Sequence, residues 1–381
     1  MMDLPLKGLV VLEFSQYLSG PSAGLRLADL GARVIKIERP NGGDAGRKLS
    51  IKNLWVDDSS LLFHTINRNK ESFTADLKNA DDLQVIKKLV AKADVMIHNF
   101  RPGVMEKIGL GYDEVQRMNL RIIYAAISGY GKEGPWKNKP GQDLLLQSIT
   151  GLAFTTGSGS NGPVPFGIAI GDILSGAQLV QGILAALIRR LKTNKGALIE
   201  ISLMESLLDF QFELLTTYFT NNKQPQRSNI NNGHPLLSAP YGIYKTTDGF
   251  IALAMMDIHQ LATAIDCLEL NKVLKENIFK DRDEVKDILA NHLITNSSGY
   301  WIERLHECDL WAMEVLDWEE MMEHNAYTTL KMEQTLNATG KEIITTRSPV
   351  RINGERLVSE KPAPKLGEHN KKIIEEFVIG N

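Results

Sequence analysis

Cysteine is scarce in this 381-residue chain: Cys267 and Cys308 are the only two, too few for a disulfide framework. That points to a reducing compartment and away from metal–thiolate chemistry. Charge of one sign is not in excess either. Lys and Arg number 43 against 46 Asp and Glu, a formal net charge of -3, which supplies no overall pull toward nucleic acid or an anionic membrane. The eight histidines are scattered, without H-E-x-x-H spacing. His306, Glu307, Cys308 and Asp309 are adjacent, but successive helical positions point in different directions, so no metal site is expected there. Absence of a G-x-S-x-G elbow and of a P-loop leaves serine hydrolase and nucleoside triphosphatase readings without a starting point. The start, MMDLPLKGL, lacks a basic region followed by a long apolar run, and no stretch offers ~20 predominantly apolar residues. Neither a signal peptide nor a membrane span is expected, and a cytoplasmic location is.

What the chain does have is an ordinary globular composition, 43% hydrophobic and 23% charged, at a length that predicts two domains. GLVVLEF, the helix-like PSAGLRLADLG and RVIKIE form a βαβ unit, with Pro21 suited to a first helical turn and Gly31 to a stop. The alternation continues through ESFTADL, DDLQVIKKLVAKA, DVMIHNF, RIIYAAIS and, after a long helix, GALIEISL. It predicts an α/β fold whose parallel sheet is covered on both faces. The turn-rich NNKQPQRSNINNGHP then reads as a linker. Beyond it, YGIYKTTDGFIALAM reads as two strands joined by a tight turn, and His259 to Leu330 as mainly helical. The expected plan is a large domain over 1–220, a linker over 221–238, a small α+β domain over 239–330, and a segment over 331–381 that returns to the large domain.

One stretch stands apart. Between Asp143 and Arg189 the only ionisable side chain is Asp172, set among Gly, Ala, Ile and Leu. A carboxylate buried in such surroundings needs compensation. It precedes ILSGAQLVQGILAALIRRL, apolar at three- and four-residue spacing, so a structural reading is available: Asp172 as an N-cap. A chemical reading uses the same geometry, an ionised carboxylate at the positive end of a helix able to attack an acyl group. Gly157, Gly159 and Gly162 spell G-x-G-x-x-G, but Pro163 and Pro165 follow, where a dinucleotide fingerprint needs a helix, so the string predicts a loop.

The blocks LKGLVVLEFSQYLSGPSAGLRLADLGARVIKIERPNGGD, NRNKESFTADLK, ADVMIHNFRPGVMEKIGLGYDEV, SGYGKEGP, GIAIGDILSGAQLVQGILAAL, NGHPLLSAPYGIYKTTDGFIAL and PAPKLGEHN occur in an order that resembles the class III CoA-transferases, or CaiB/BaiF family. Formyl-CoA transferase and related acyl-CoA:carboxylate CoA-transferases belong to it, and the likeness runs over nearly the whole chain. It implies a Rossmann-like sheet in the large domain and an interlocked homodimer. It also implies coenzyme A thioester as co-substrate with no permanently bound cofactor, and transfer of CoA from an acyl-CoA to a small carboxylic acid, without nucleic-acid or membrane partners. The resemblance places covalent catalysis on Asp172, through an aspartyl anhydride and an aspartyl-CoA thioester. Substrate contacts fall on Leu18, Arg39, Ala75, Lys78, Asn99, Phe100, Arg101, Lys107 and Lys139, and their basic members would pair with phosphates.

Two departures bear on specificity. Leu18 stands where the formyl-CoA transferase branch has glutamine, and Asn231, Asn232, Gly233, His234 and Pro235 replace its run of glycines, so formate and oxalate are not the expected substrates. Two alternatives remain. An α-methylacyl-CoA racemase-like isomerase would need a histidine base where Gly141-Gln142-Asp143 has an amide, which cannot accept and release that proton. A CoA-binding protein without chemistry would use Asp172 as a cap alone.

Overall fold

The computed structural model describes residues 3–273, 277–359 and 361–379. The chain forms two compact units, one from Met1–Leu146, Ala169–Leu207 and Lys331–Asn381, the other from Gln147–Ile168 and Leu208–Leu330. The expected boundaries therefore shift: 147–168 and 208–238, read as large domain and linker, belong to the second unit. Lys286 donates to Asn231 O at 3.0 Å, and polar side chains bonded to backbone tie the two segments to each other. Gln147 accepts from Phe166 N at 2.8 Å and donates to Ile168 O at 3.2 Å, Gln211 donates to Thr150 O at 3.2 Å, and Arg227 reaches the carbonyls of Thr156 and Gly162. Such ties leave no hydrophobic period to read in sequence.

In the first unit six strands form one sheet: β1 Val10–Glu13, β2 Arg33–Glu38, β3 Lys70–Thr74, β4 Val95–His98, β5 Ile123–Ser128 and β6 Ala197–Ser202. Their order is β3-β2-β1-β4-β5-β6, and every pair is parallel. The helices that bear on the site are α1 Ser19–Asp29, α2 Leu61–Asn67, α3 Ala80–Lys92, α4 Val104–Lys107, α5 Tyr112–Met118, α6 Asp143–Ile149, which begins in this unit, and α7 Ile170–Thr193. Hydrophobic runs such as VVLE and RVIKIE form central strands because helices cover both faces. Leu12, Ile35 and Met96 are buried against Ile86, Leu89 and Val90 of α3. α7 runs 24 residues and by length and composition could cross a membrane. Here it lies against α1, β5 and β6, with Leu179 and Ile183 fully buried.

The segment after 331 adds two pieces to this unit. Strands Glu333–Ala338 and Lys341–Thr346 pair as a hairpin through Thr339 (φ 49) and Gly340 (φ 84), both left-handed as a two-residue turn requires. This hairpin was not expected from sequence. The chain end lies along the β3 edge, where Asn370 accepts from Thr74 N at 2.9 Å and Lys372 pairs with Glu71 at 2.7 Å.

The second unit contains a three-stranded antiparallel sheet of Gly242–Lys245, Phe250–Leu253 and Ala312–Glu314. The first two strands are the expected hairpin, closed where Thr246 N donates to Gly249 O at 3.0 Å. The stretch 259–330 is mainly helical as expected, with helices such as Arg282–Leu293 and Ser298–Glu307, and the third strand is the piece of it not foreseen. Only Ala312 of this short strand is buried, so its sequence carries no alternation to reveal it.

Candidate functional site

The strand order reverses between β1 and β4, so the loops leaving their C-terminal ends diverge and open a crevice, the place where parallel α/β sheets bind ligands. Asn99, after β4, joins the two loops: its Oδ1 accepts from Gln16 N at 2.9 Å and its Nδ2 donates to Gln16 O at 2.7 Å. Next to Gln16, Tyr17 holds a left-handed backbone (φ 64) unusual for its type, with Asp44 Oδ1 accepting from its N–H at 3.1 Å.

Asp44 belongs to a buried ionic layer beneath this loop. Glu13, with no solvent exposure, meets Lys36 Nζ at 2.8 Å and Lys70 Nζ at 2.7 Å, and Lys36 also meets Asp44 at 2.8 Å. Lys36 donates to Ser15 O at 2.8 Å and Lys70 to Pro21 O at 2.8 Å, so the charges grip the backbone on both sides of Tyr17. Ion pairs with their remaining protons satisfied in this way are the ones a core tolerates.

A cleft of about 950 Å³ opens over these loops in the first unit. Its apolar wall includes Leu18, Leu49, Ile51, Phe63 and Leu144, and its polar lining includes Ser19, Asn99, Arg101, Lys137, Lys139, Gln142, Asp143 and Asp172. Lys139 lies 5.2 Å from the Trp136 ring, while Tyr130 packs edge-on against Trp136 and donates to Pro140 O at 3.3 Å. Those contacts order the loop that carries both lysines.

Asp172 is the third residue of α7, not its cap. Ala169 occupies the N-cap and makes no side-chain bond. Asp143 does the capping instead: its Oδ2 accepts from Asp172 N at 3.0 Å. It is brought there by the approach of Gly141 to Gly129, where a Cβ on either residue would stand within 2.8 Å of the other's Cα. Burial pushes the Asp172 carboxyl up to about 6, the Asp143 charge adds to the rise, and a hydrogen bond from the Ser19 hydroxyl opposes it. At neutral pH the group is still mainly ionised, yet it is more basic than an ordinary carboxylate.

The expected site residues separate into three groups. Asp172, Leu18, Asn99, Phe100, Arg101 and Lys139 line the cleft together. Arg39 and Ala75 line a small recess beside it, also bounded by Phe100. Lys78 and Lys107 are exposed on the rim of the fold and line neither space. The sequence reading did not single out Ser19, Tyr17, Lys137 or Asp143 as site residues. For Asp143 a signal existed, since it closes the charge-free stretch and ends the Gly-Gln-Asp triplet.

The chain is similar to known proteins over nearly its whole length. Residues 6–370 match the family described as CoA-transferase family III. The chain is 32% identical to the acetyl-CoA:oxalate CoA-transferase of Acetobacter aceti, over 98% of this chain and 96% of the relative. It is 30% identical to the human succinyl-CoA:glutarate CoA-transferase, over 98% and 86% respectively. Among solved structures, a CaiB/BaiF family protein from Brucella suis superposes with a TM-score of 0.85 at 29% identity, covering 99% of this chain and 100% of that one.

Proposed function

The chain belongs to CoA-transferase family III, and from that membership we propose that it moves coenzyme A from an acyl-CoA to a carboxylic acid by way of covalent intermediates on Asp172. One observation carries the reading: a basic yet ionised carboxylate on the wall of a cleft large enough for a thioester. A carboxylate oxygen of Asp172 attacks the thioester carbonyl, the C–S bond breaks, and an aspartyl-acyl anhydride and CoA thiolate result. The thiolate attacks the aspartyl carbonyl, releasing the donor acid and leaving aspartyl-CoA. The acceptor carboxylate repeats the sequence in reverse and leaves as its own CoA thioester, returning Asp172 as carboxylate. Each intermediate keeps the free energy of the thioester, so none needs ATP, and each would be lost to water. The apolar wall of Leu18, Leu49, Ile51 and Phe63 limits that loss.

Arg101, Lys137 and Lys139 supply charge for the CoA phosphates, with the nucleotide across Phe100 toward Arg39 and Ala75. The names of the relatives put dicarboxylic acids first among acceptors to test. The racemase alternative lacks its base, because Gln142 lines the cleft at the position concerned. We further place the protein in the cytoplasm as a homodimer, to be checked by cell fractionation and analytical ultracentrifugation. The mechanism is tested by incubation with a panel of acyl-CoA thioesters, a hydroxylamine quench and peptide mass spectrometry. A hydroxamate on Asp172 is the expected product. Its absence with a substrate that turns over, or its appearance on another residue, would remove the mechanism.

A further inference from the structure

Ser19 has no capping duty to explain it. It is the first helical residue of α1, while Leu18 holds the N-cap position and makes no side-chain bond. Ser19 is nevertheless only 5% exposed, and the accepting role of its hydroxyl is taken. Asn99 fixes the first. Because Gln16 N–H donates to Asn99 Oδ1, the other amide atom must be Nδ2, and it lies 3.2 Å from Ser19 Oγ. An amide NH2 donates and does not accept, so Ser19 Oγ receives a proton there and keeps its own for a second partner. Asp172 lines the same cleft wall as Ser19, and its carboxylate is the acceptor that this proton can serve.

The backbone fixes the same geometry. Gly176, one turn after Asp172 on α7, faces α1 so closely that a Cβ would stand 2.7 Å from Ser19 O and 2.2 Å from Ser22 Oγ. Ser22 Oγ in turn donates to Ser19 O at 2.8 Å. Two helices that meet at a glycine in this way hold the first turn of α1 against the second turn of α7, one turn beyond Asp172, with little freedom to slide.

We infer that Ser19 is a positioning residue for CoA transfer: its hydroxyl, oriented by Asn99, donates to Asp172 and keeps that carboxylate ionised and in place at the cleft wall. The inference rests on Asp172 being the covalent carrier. Without the hydroxyl, burial and the Asp143 charge both favour the protonated acid, which cannot attack a thioester.

The test is the pH profile of kcat/KM for an acyl-CoA donor in the wild type, Ser19→Ala, Ser19→Thr and Asp172→Asn. Loss of one hydrogen bond to a charged group moves the acidic limb of Ser19→Ala upward by about one pH unit. From a starting midpoint of about 6, the variant is then slower by about fivefold at pH 6 and about twofold at pH 7, and equal to wild type near pH 8.5. Ser19→Thr, which retains the hydroxyl, returns the limb to its wild-type place. An unmoved limb in Ser19→Ala, an equal loss at every pH, or a threonine variant with the alanine profile would overturn the inference. Activity surviving in Asp172→Asn would instead defeat the carrier reading on which it rests, so the two failures are told apart.

Discussion

Asp172→Asn should make the free protein more stable, and by an amount that depends on pH. The carboxyl is raised in the folded protein from 3.8 to about 6, so folding favours its protonated form. Between those values the folded state binds more protons than the unfolded state, and stability falls as pH rises through the window. The full penalty is 2.303RT multiplied by a shift of about two units, roughly 3 kcal/mol, reached above pH 7. At pH 5 about half of it is already present, because the unfolded carboxyl has ionised. Asparagine has nearly the same shape and does not titrate. The stability difference between variant and wild type should therefore widen by about 1.4 kcal/mol from pH 5 to pH 7 and stay constant to pH 8. For a unit of this size that is roughly 2–3 °C in Tm, within reach of calorimetry or thermal-shift fluorescence at matched ionic strength. A difference that does not change with pH, or one that shrinks toward pH 7, would refute the burial argument for this side chain.

Three further outcomes follow from the same structure. Glu13→Gln leaves Lys36 and Lys70 buried without their shared carboxylate and should lower stability by about 3–5 kcal/mol, read by urea unfolding. Gly176→Ala forces a Cβ against Ser19 O and Ser22 Oγ, so it should destabilise by about 1–3 kcal/mol and slow transfer through displaced Ser19. Arg101→Ala and Lys139→Ala should each raise KM for acyl-CoA about tenfold with kcat little changed, as loss of binding common to ground and transition states requires.

The parallel sheet was legible because its strands are buried on both faces and spell their own runs: VVLE, RVIKIE and VMIH are apolar enough to be read alone. The same holds for α7. The hairpin of 333–346 was not legible, since its buried positions on the first strand are Gln334, Leu336 and Ala338, a weak alternation, and Thr339-Gly340 is not a strong turn signal. At the site, Asp172 was conspicuous because its neighbours are uncharged. Its actual cap, Asp143, lies 29 residues away and arrives by the contact of Gly141 with Gly129, a tertiary event without periodicity. Ser19 was hidden for the same reason: its role depends on the crossing of α1 and α7 and on the orientation of Asn99, neither of which local sequence encodes.

Oxygen transfer during one catalytic cycle offers the most direct test of Asp172 as carrier. The aspartyl-CoA form, made with unlabelled donor, is mixed with an acceptor acid carrying 18O in its carboxylate, and the Asp172 peptide is weighed after a single turnover. Attack of that carboxylate on aspartyl-CoA, followed by thiolate attack on the acceptor carbonyl, leaves one acceptor oxygen on Asp172. The account predicts a peptide heavier by one 18O. A peptide of unchanged mass, with labelled acceptor thioester formed at the normal rate, would contradict it.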